Sequence, residues 1–285
     1  MRHLVYAATL LAVIGRAQAD DTRVVPAVGT TLTYRMLATS TMEGRSSRFG
    51  QIYTHVVTSS DGATAAGFIK PLAMIWGCPA SDATNPCVTA RKSPKARQEG
   101  DLVVVPVPAE ISDSLAKQSA FKVHYFITEL RKFAFPGTKD PDNPDERAMG
   151  PEPAYVLTNT MECDSTELQR FLPLGKTPQI TLACKATLVR VPGAGSHVSP
   201  LEKNDAVSVE ISDQGVGQIT LPSGKWEARK FAIKVVPADS SQGGAQSEVQ
   251  FSTKLGVPIK THSIISNLSS HTVTETDSEL IAFTQ

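Results

Sequence analysis

The chain carries no excess charge of either sign. Its 28 Lys+Arg balance 28 Asp+Glu, so the formal net charge is zero. Nucleic-acid binders normally show a basic surplus, or a basic face with stacking aromatics. The one basic cluster, Arg91-Lys92-Ser93-Pro94-Lys95-Ala96-Arg97, contains no aromatic residue and reads as a solvated loop. No nucleic-acid partner is expected. Long apolar runs are also missing: beyond the N-terminal segment none approaches the ~18 residues that cross a bilayer as a helix. The signatures of catalysis are scarce as well. There is no G-x-S-x-G elbow, no glycine fingerprint for phosphate and no C-x-x-C pair. Past the N-terminal segment, His55, His124, His197, His262 and His271 show neither H-x-x-x-H nor H-x-H spacing, so no local metal site is encoded. Ser196 and His197 are neighbours within a glycine loop, and adjacent residues of an extended chain point to opposite faces. No catalytic residue, metal or cofactor is assigned, and a non-enzymatic role is expected.

The first 19 residues have the order of a secretory signal. Arg2 and His3 precede an apolar run from Leu4 to Ile14, and Ala17-Gln18-Ala19 supplies a small-residue cleavage site. The expected location is therefore exported, either periplasmic or extracellular, with no membrane span once the signal is removed. Four cysteines follow. In an oxidising compartment they form disulfides, and sequence proximity favours Cys78 with Cys87 and Cys163 with Cys184 over the other two pairings.

The rest of the chain reads as strands. Leu32, Tyr34 and Met36 alternate with Thr31, Thr33 and Arg35. Arg48–Thr58 and Ala63–Ile69 flank Asp61-Gly62, a strong hairpin turn. Further strands are expected over Asp101–Val107, Lys122–Phe135, Tyr155–Met161, Pro178–Val191 and Ala206–Ser212. One short helix is expected over Ala109–Gln118. A second follows Asp164-Ser165-Thr166-Glu167, which has the pattern of a capping box. Residues 136–153 hold five prolines and no apolar period, so they read as a linker or loop. Their acidic residues lack the Gly and the terminal Glu of a calcium loop. This break divides the chain into a β-rich domain over 20–135 and a second over 154–285.

The second half contains Leu221-Pro222-Ser223-Gly224-Lys225-Trp226 and then Phe251-Ser252-Thr253-Lys254-Leu255-Gly256-Val257-Pro258-Ile259-Lys260. These segments resemble a family of uncharacterised bacterial envelope proteins. The resemblance implies the half-barrel of periplasmic lipoprotein carriers, a curved antiparallel sheet around a helix or an apolar cavity. The expected fold is thus mainly β, with two curved, half-barrel-like antiparallel sheets and one or two short helices. The expected function is binding of a hydrophobic ligand, lipid or lipoprotein, with Trp226, Phe231, Ile233, Val249, Phe251 and Ile265 as candidate lining residues. The alternative is a protein-interaction or structural module of the cell envelope that pairs through an exposed strand edge such as Thr272–Thr276. A hydrolase assembled from remote residues stands third.

Overall fold

A computed structural model describes residues 23–83, 85–93, 95–138, 149–172, 174–194, 196–239, 243–268 and 270–285. The signal segment and most of the acidic loop lie outside these residues. Fourteen strands and three helices are described. The expected pair of half-barrel sheets is not what forms. Twelve strands close into a single antiparallel barrel.

The barrel is an up-and-down meander with one excursion. β1 (Thr31–Met42), β2 (Arg45–Ser60) and β3 (Thr64–Gly77) come first. The chain then leaves the wall to form α1 (Asn85–Lys92), β4 (Arg97–Glu99), β5 (Leu102–Pro106) and α2 (Ala109–Ala116). It returns as β6 (Ala120–His124) and β7 (Ile127–Thr138). β8 (Met149–Cys163), α3 (Ser165–Arg170) and β9 (Gln179–Pro192) follow. β10 (Leu201–Leu221), β11 (Gly224–Pro237), β12 (Gly244–Ser252), β13 (Val257–Asn267) and β14 (Thr272–Thr284) complete the wall. Closure comes from β14, which pairs along the whole of β1, from Thr31 opposite Thr284 to Met42 opposite Thr272. Strands from both halves of the sequence therefore share one sheet, joined at the other side by β7 pairing with β8.

Closure also needs bends. Register shifts interrupt β1 at Thr33/Tyr34, β2 at Ile52/Tyr53 and β10 between Asp213 and Val216, and bulges of this kind let a sheet curl. At the fork where β3 leaves β6 for β5, Gly67 is required. A Cβ there would meet the Val56 carbonyl oxygen at 1.9 Å. Local turn chemistry follows the sequence. Asp61 accepts from the Ala63 and Thr64 amides at 3.0 and 2.6 Å, while Gly62 takes φ of +87°. The Asp164 carboxylate caps α3 by accepting from the Thr166 amide at 2.8 Å. Two local expectations fail. The strand read over Lys122–Phe135 is broken into β6 and β7 by a turn at Tyr125, whose φ is +52°. α1 was not foreseen, because Pro and Cys dominate its start.

Because side chains alternate, each strand puts one face into the barrel. The inward set includes Leu32, Tyr34, Tyr53, Phe133, Leu182, Ile211, Phe231 and Leu280, all buried. The outward set is polar and cross-linked by ion pairs, such as Lys230 with Glu248 at 3.0 Å and His262 with Asp277 at 3.0 Å. Two covered patches are the exceptions. In one, β5 packs Leu102 and Val104 onto Ala73 and Ile75 of β3. α2 makes the other. It packs Ile111 and Leu115 with Ala134, covering part of the outer wall.

Candidate functional site

The two ends of the barrel differ. At one end lie the starts of β1, β7 and β9 and the ends of β8, β10 and β12. This end is filled. Phe126 from the β6–β7 turn and Leu168 and Phe171 from α3 pack onto Leu182, Phe231 and Phe251 of the wall. Phe126 stacks on Phe231 with ring centroids 5.4 Å apart. The long β10–β11 hairpin adds Leu221 and Trp226 to a second cluster with Leu255, Val257, Ile259 and Leu280. Asp213, turned inward here, is held by Arg229 at 2.5 Å.

Midway up the barrel is an aromatic layer. Tyr34 stacks on Tyr53 at 5.7 Å, and the His55 ring lies on Phe121 at 4.5 Å. The Tyr34 hydroxyl donates to the Pro258 carbonyl at 2.9 Å, and burial raises its pKa. Burial, reinforced by the nearby Arg131 cation, pushes the His55 imidazole down to about 3. His55 is therefore neutral at ordinary pH, and among the described residues its Nε2 has no partner.

Above this layer the barrel opens into a cavity of about 1510 Å³. Its wall is apolar: Met36, Met74, Trp76, Phe133, Phe135, Tyr155, Leu157 and Leu188 all line it. At the base are Gln51, Arg131 and Asn159. The first cystine loop and α1 form part of the mouth, where Cys87, Ala90, Asp101 and His197 also line the cavity. The cystines form as the sequence indicated. Cys78 bonds to Cys87, and Cys163 bonds to Cys184 on the neighbouring strand. The first fastens the rim; the second clamps β8 to β9 near the filled end.

The six lining residues expected from the sequence are not in this cavity. Phe231, Val249 and Phe251 belong to the plug, with Ile233 packed against it. Trp226 belongs to the second cluster, and Ile265 is 48% exposed near the mouth. The actual wall comes from β1, β2, β3, β7, β8 and β9. A usable signal existed in Arg131, Phe133 and Phe135. They alternate on one face, and an arginine in phase with two phenylalanines marks a polar point on an apolar wall. The exposed edge expected at Thr272–Thr276 is also corrected. Those residues pair with β1 on one side and β13 on the other, so barrel closure leaves no edge there. On the outer wall, His262, Glu275 and Asp277 bring ligand atoms within 4.8 Å of one another, across two strands that local spacing cannot relate.

The molecule is thus a closed β-barrel with one filled end and one cavity-bearing end. No protein-family model matches the sequence, and no curated protein matches it. Among solved structures it is similar to the hypothetical lipoprotein YmcC from Escherichia coli (K12), at 6% identity over 86% of this chain and 83% of that one, with a TM-score of 0.39. It is also similar to a chain described as a "putative lipoprotein" from Parabacteroides distasonis, at 10% identity over 93% of this chain and 100% of that one, with a TM-score of 0.35. A Rh. blastica porin mutant aligns at 9% identity over 87% and 98% of the two chains, with a TM-score of 0.18. At these scores the likenesses carry no argument about fold or function.

Proposed function

We propose that this is an exported, non-enzymatic envelope protein that holds a hydrophobic ligand, a lipid or the acyl chain of a lipoprotein, in the open half of its barrel. The observation that carries the reading is the apolar cavity at the unplugged end. Its volume of about 1510 Å³ exceeds the ~300–1,000 Å³ typical of small-molecule sites. An apolar wall in a water-accessible cavity gains roughly 25 cal/mol for each Å² that a ligand covers. The two cystines support an oxidising compartment. The charged outer face supports a barrel standing in water, since lipid-facing walls carry an apolar outer band. No helix among the described residues is long and apolar enough to cross a membrane.

The test is extraction of the purified protein followed by mass spectrometry, with titration of an apolar fluorescent dye. A co-purifying lipid and saturable dye binding are expected. Leu157→Lys, which puts a charge into the wall, should weaken the dye about tenfold or more, since a buried unpaired charge is strongly disfavoured. Protein with neither lipid nor dye binding would sink the reading.

A second reading, an envelope interaction module, rests on the mouth. Met42, Phe49, Leu201, Ile265, Leu268 and Val273 are large apolar side chains left 38% to 54% exposed on or near that rim. Exposed apolar patches mark partner or membrane contacts. Cross-linking from Leu268 in intact envelopes, giving one discrete protein adduct in place of lipid adducts, would favour it.

A further inference from the structure

We propose that the cavity takes an amphiphile with an oxyanion head, a carboxylate or a phosphate, which Arg131 binds at the base while the hydrocarbon tail lies along the wall toward the mouth. The proposal rests on the reading that the open half of the barrel is a ligand cavity, and it names the ligand's chemical class.

Arg131 sits on the inward face of β7, in phase with Phe133 and Phe135, and lines the cavity with them. Among the described residues no carboxylate lies within salt-bridge distance of it. The guanidinium lies over the face of the Tyr53 ring, 4.9 Å from its carbon to the ring centroid. Among the described residues no acceptor lies within hydrogen-bond distance of the guanidinium, so its forked donors are unmatched there. Paired donors of this kind match an oxyanion.

Among the described residues, the groups below Arg131 supply no counter-charge. His55 is neutral, the Tyr34 hydroxyl is spent on a carbonyl, and Asp213 is bound to Arg229. The other charged residues of the lining, Arg48, Asp82, Asp101 and Glu152, lie toward the mouth, where Arg48 pairs with Asp101 at 2.6 Å. The base also holds two amides. Asn159 faces Arg131 across the β7–β8 pair. Gln51 is only 3% exposed, yet among the described residues its Oε1 has no partner and its Nε2 makes only a 4.0 Å contact with the Met36 sulfur. A buried amide left this poorly satisfied calls for a polar group in the cavity. An arginine and two amides at the base of an apolar cup are complementary to an acidic head with one apolar tail.

Trp76 lines the cavity, whereas Trp226 is buried at the other end, so indole fluorescence reports on the site. The experiment titrates palmitate, hexadecyl phosphate and hexadecanol into the wild type, Arg131→Met and Arg131→Lys. The wild type should prefer at least one of the two acids over hexadecanol by roughly ten- to hundredfold, the range for a charge-assisted hydrogen-bonded pair. Arg131→Met should lose that preference while binding hexadecanol as before, and Arg131→Lys should keep part of it. The tighter acid identifies the head as carboxylate or phosphate. The wild-type preference is measured without any variant, so misfolding of Arg131→Met does not shield the proposal. Equal wild-type affinity for acids and alcohol overturns it, as does an acid preference that survives in Arg131→Met. If none of the three binds, hexadecanol included, the cavity reading itself falls.

Discussion

At the filled end of the barrel, Phe126, Phe171, Phe231 and Phe251 meet edge and face with centroids 5.4 to 6.3 Å apart. At the open end, Phe135 stacks on Tyr155 at 4.5 Å and both rings still border empty volume. The same alternation of apolar residues generates both ends. What differs is whether a connection folds back into the barrel. α3 and the β10–β11 hairpin supply side chains that fill one end. The described connections at the other end pass around the mouth and leave the lumen unfilled. One end therefore serves stability, and the other is free to serve binding.

The largest test of that contrast is a pair of truncations. Phe231→Ala should cost about 3–5 kcal/mol, as expected for a fully buried aromatic that leaves a cavity. Phe135→Ala should cost about 1 kcal/mol, because its site already borders open space and it loses mainly its ring contacts. Urea unfolding of both variants decides the matter, and equal costs would erase the distinction between the two ends.

The cystines offer the next contrast. Each should stabilise by about 3 kcal/mol on the chain-entropy model, given sequence separations of 9 and 21. Replacing Cys163 and Cys184 by Ala should lower the unfolding midpoint and leave dye affinity unchanged. Replacing Cys78 and Cys87 by Ala should lower the midpoint and also speed dye release, since that loop borders the mouth. Identical release rates in the two double variants would separate the rim cystine from the cavity.

Acid gives the smallest and most localised effect. His55 is held neutral in the folded barrel, with its pKa pushed from 6.5 to about 3. In the unfolded chain it takes up a proton below about 6.5. Unfolded protein then binds more protons, so stability is present above 6.5 and is lost as pH falls toward 3. The loss attributable to His55 at pH 4.5 is about 2–3 kcal/mol. In His55→Phe that part of the pH slope should vanish; a slope that persists unchanged would move its origin to the carboxylates.

Much of the wall was legible residue by residue. The turn at Asp61-Gly62, the cap at Asp164, the alternating faces of β1 and the strand character of β2 and β9 follow from short-range chemistry. The site was not legible in the same way. Phe231, Val249 and Phe251 and the pair Phe133 and Phe135 carry the same local signal, an aromatic or β-branched residue every second position. Only the location of α3 and of the Phe126 turn makes the first group a plug and leaves the second beside a cavity. The division at 136–153 was read from proline content, which marks a break in regular structure and does not say whether strands on either side pair.

The sequence by itself determined an alternating, turn-rich, cystine-bearing β protein, because the two-residue period and turn preferences act over a few residues. Only the tertiary structure decided that β14 meets β1, that the sheet closes, and that one end is left hollow with Arg131 at its base. Those outcomes depend on contacts between residues more than two hundred positions apart, such as Tyr34 with Leu280, which no local pattern encodes.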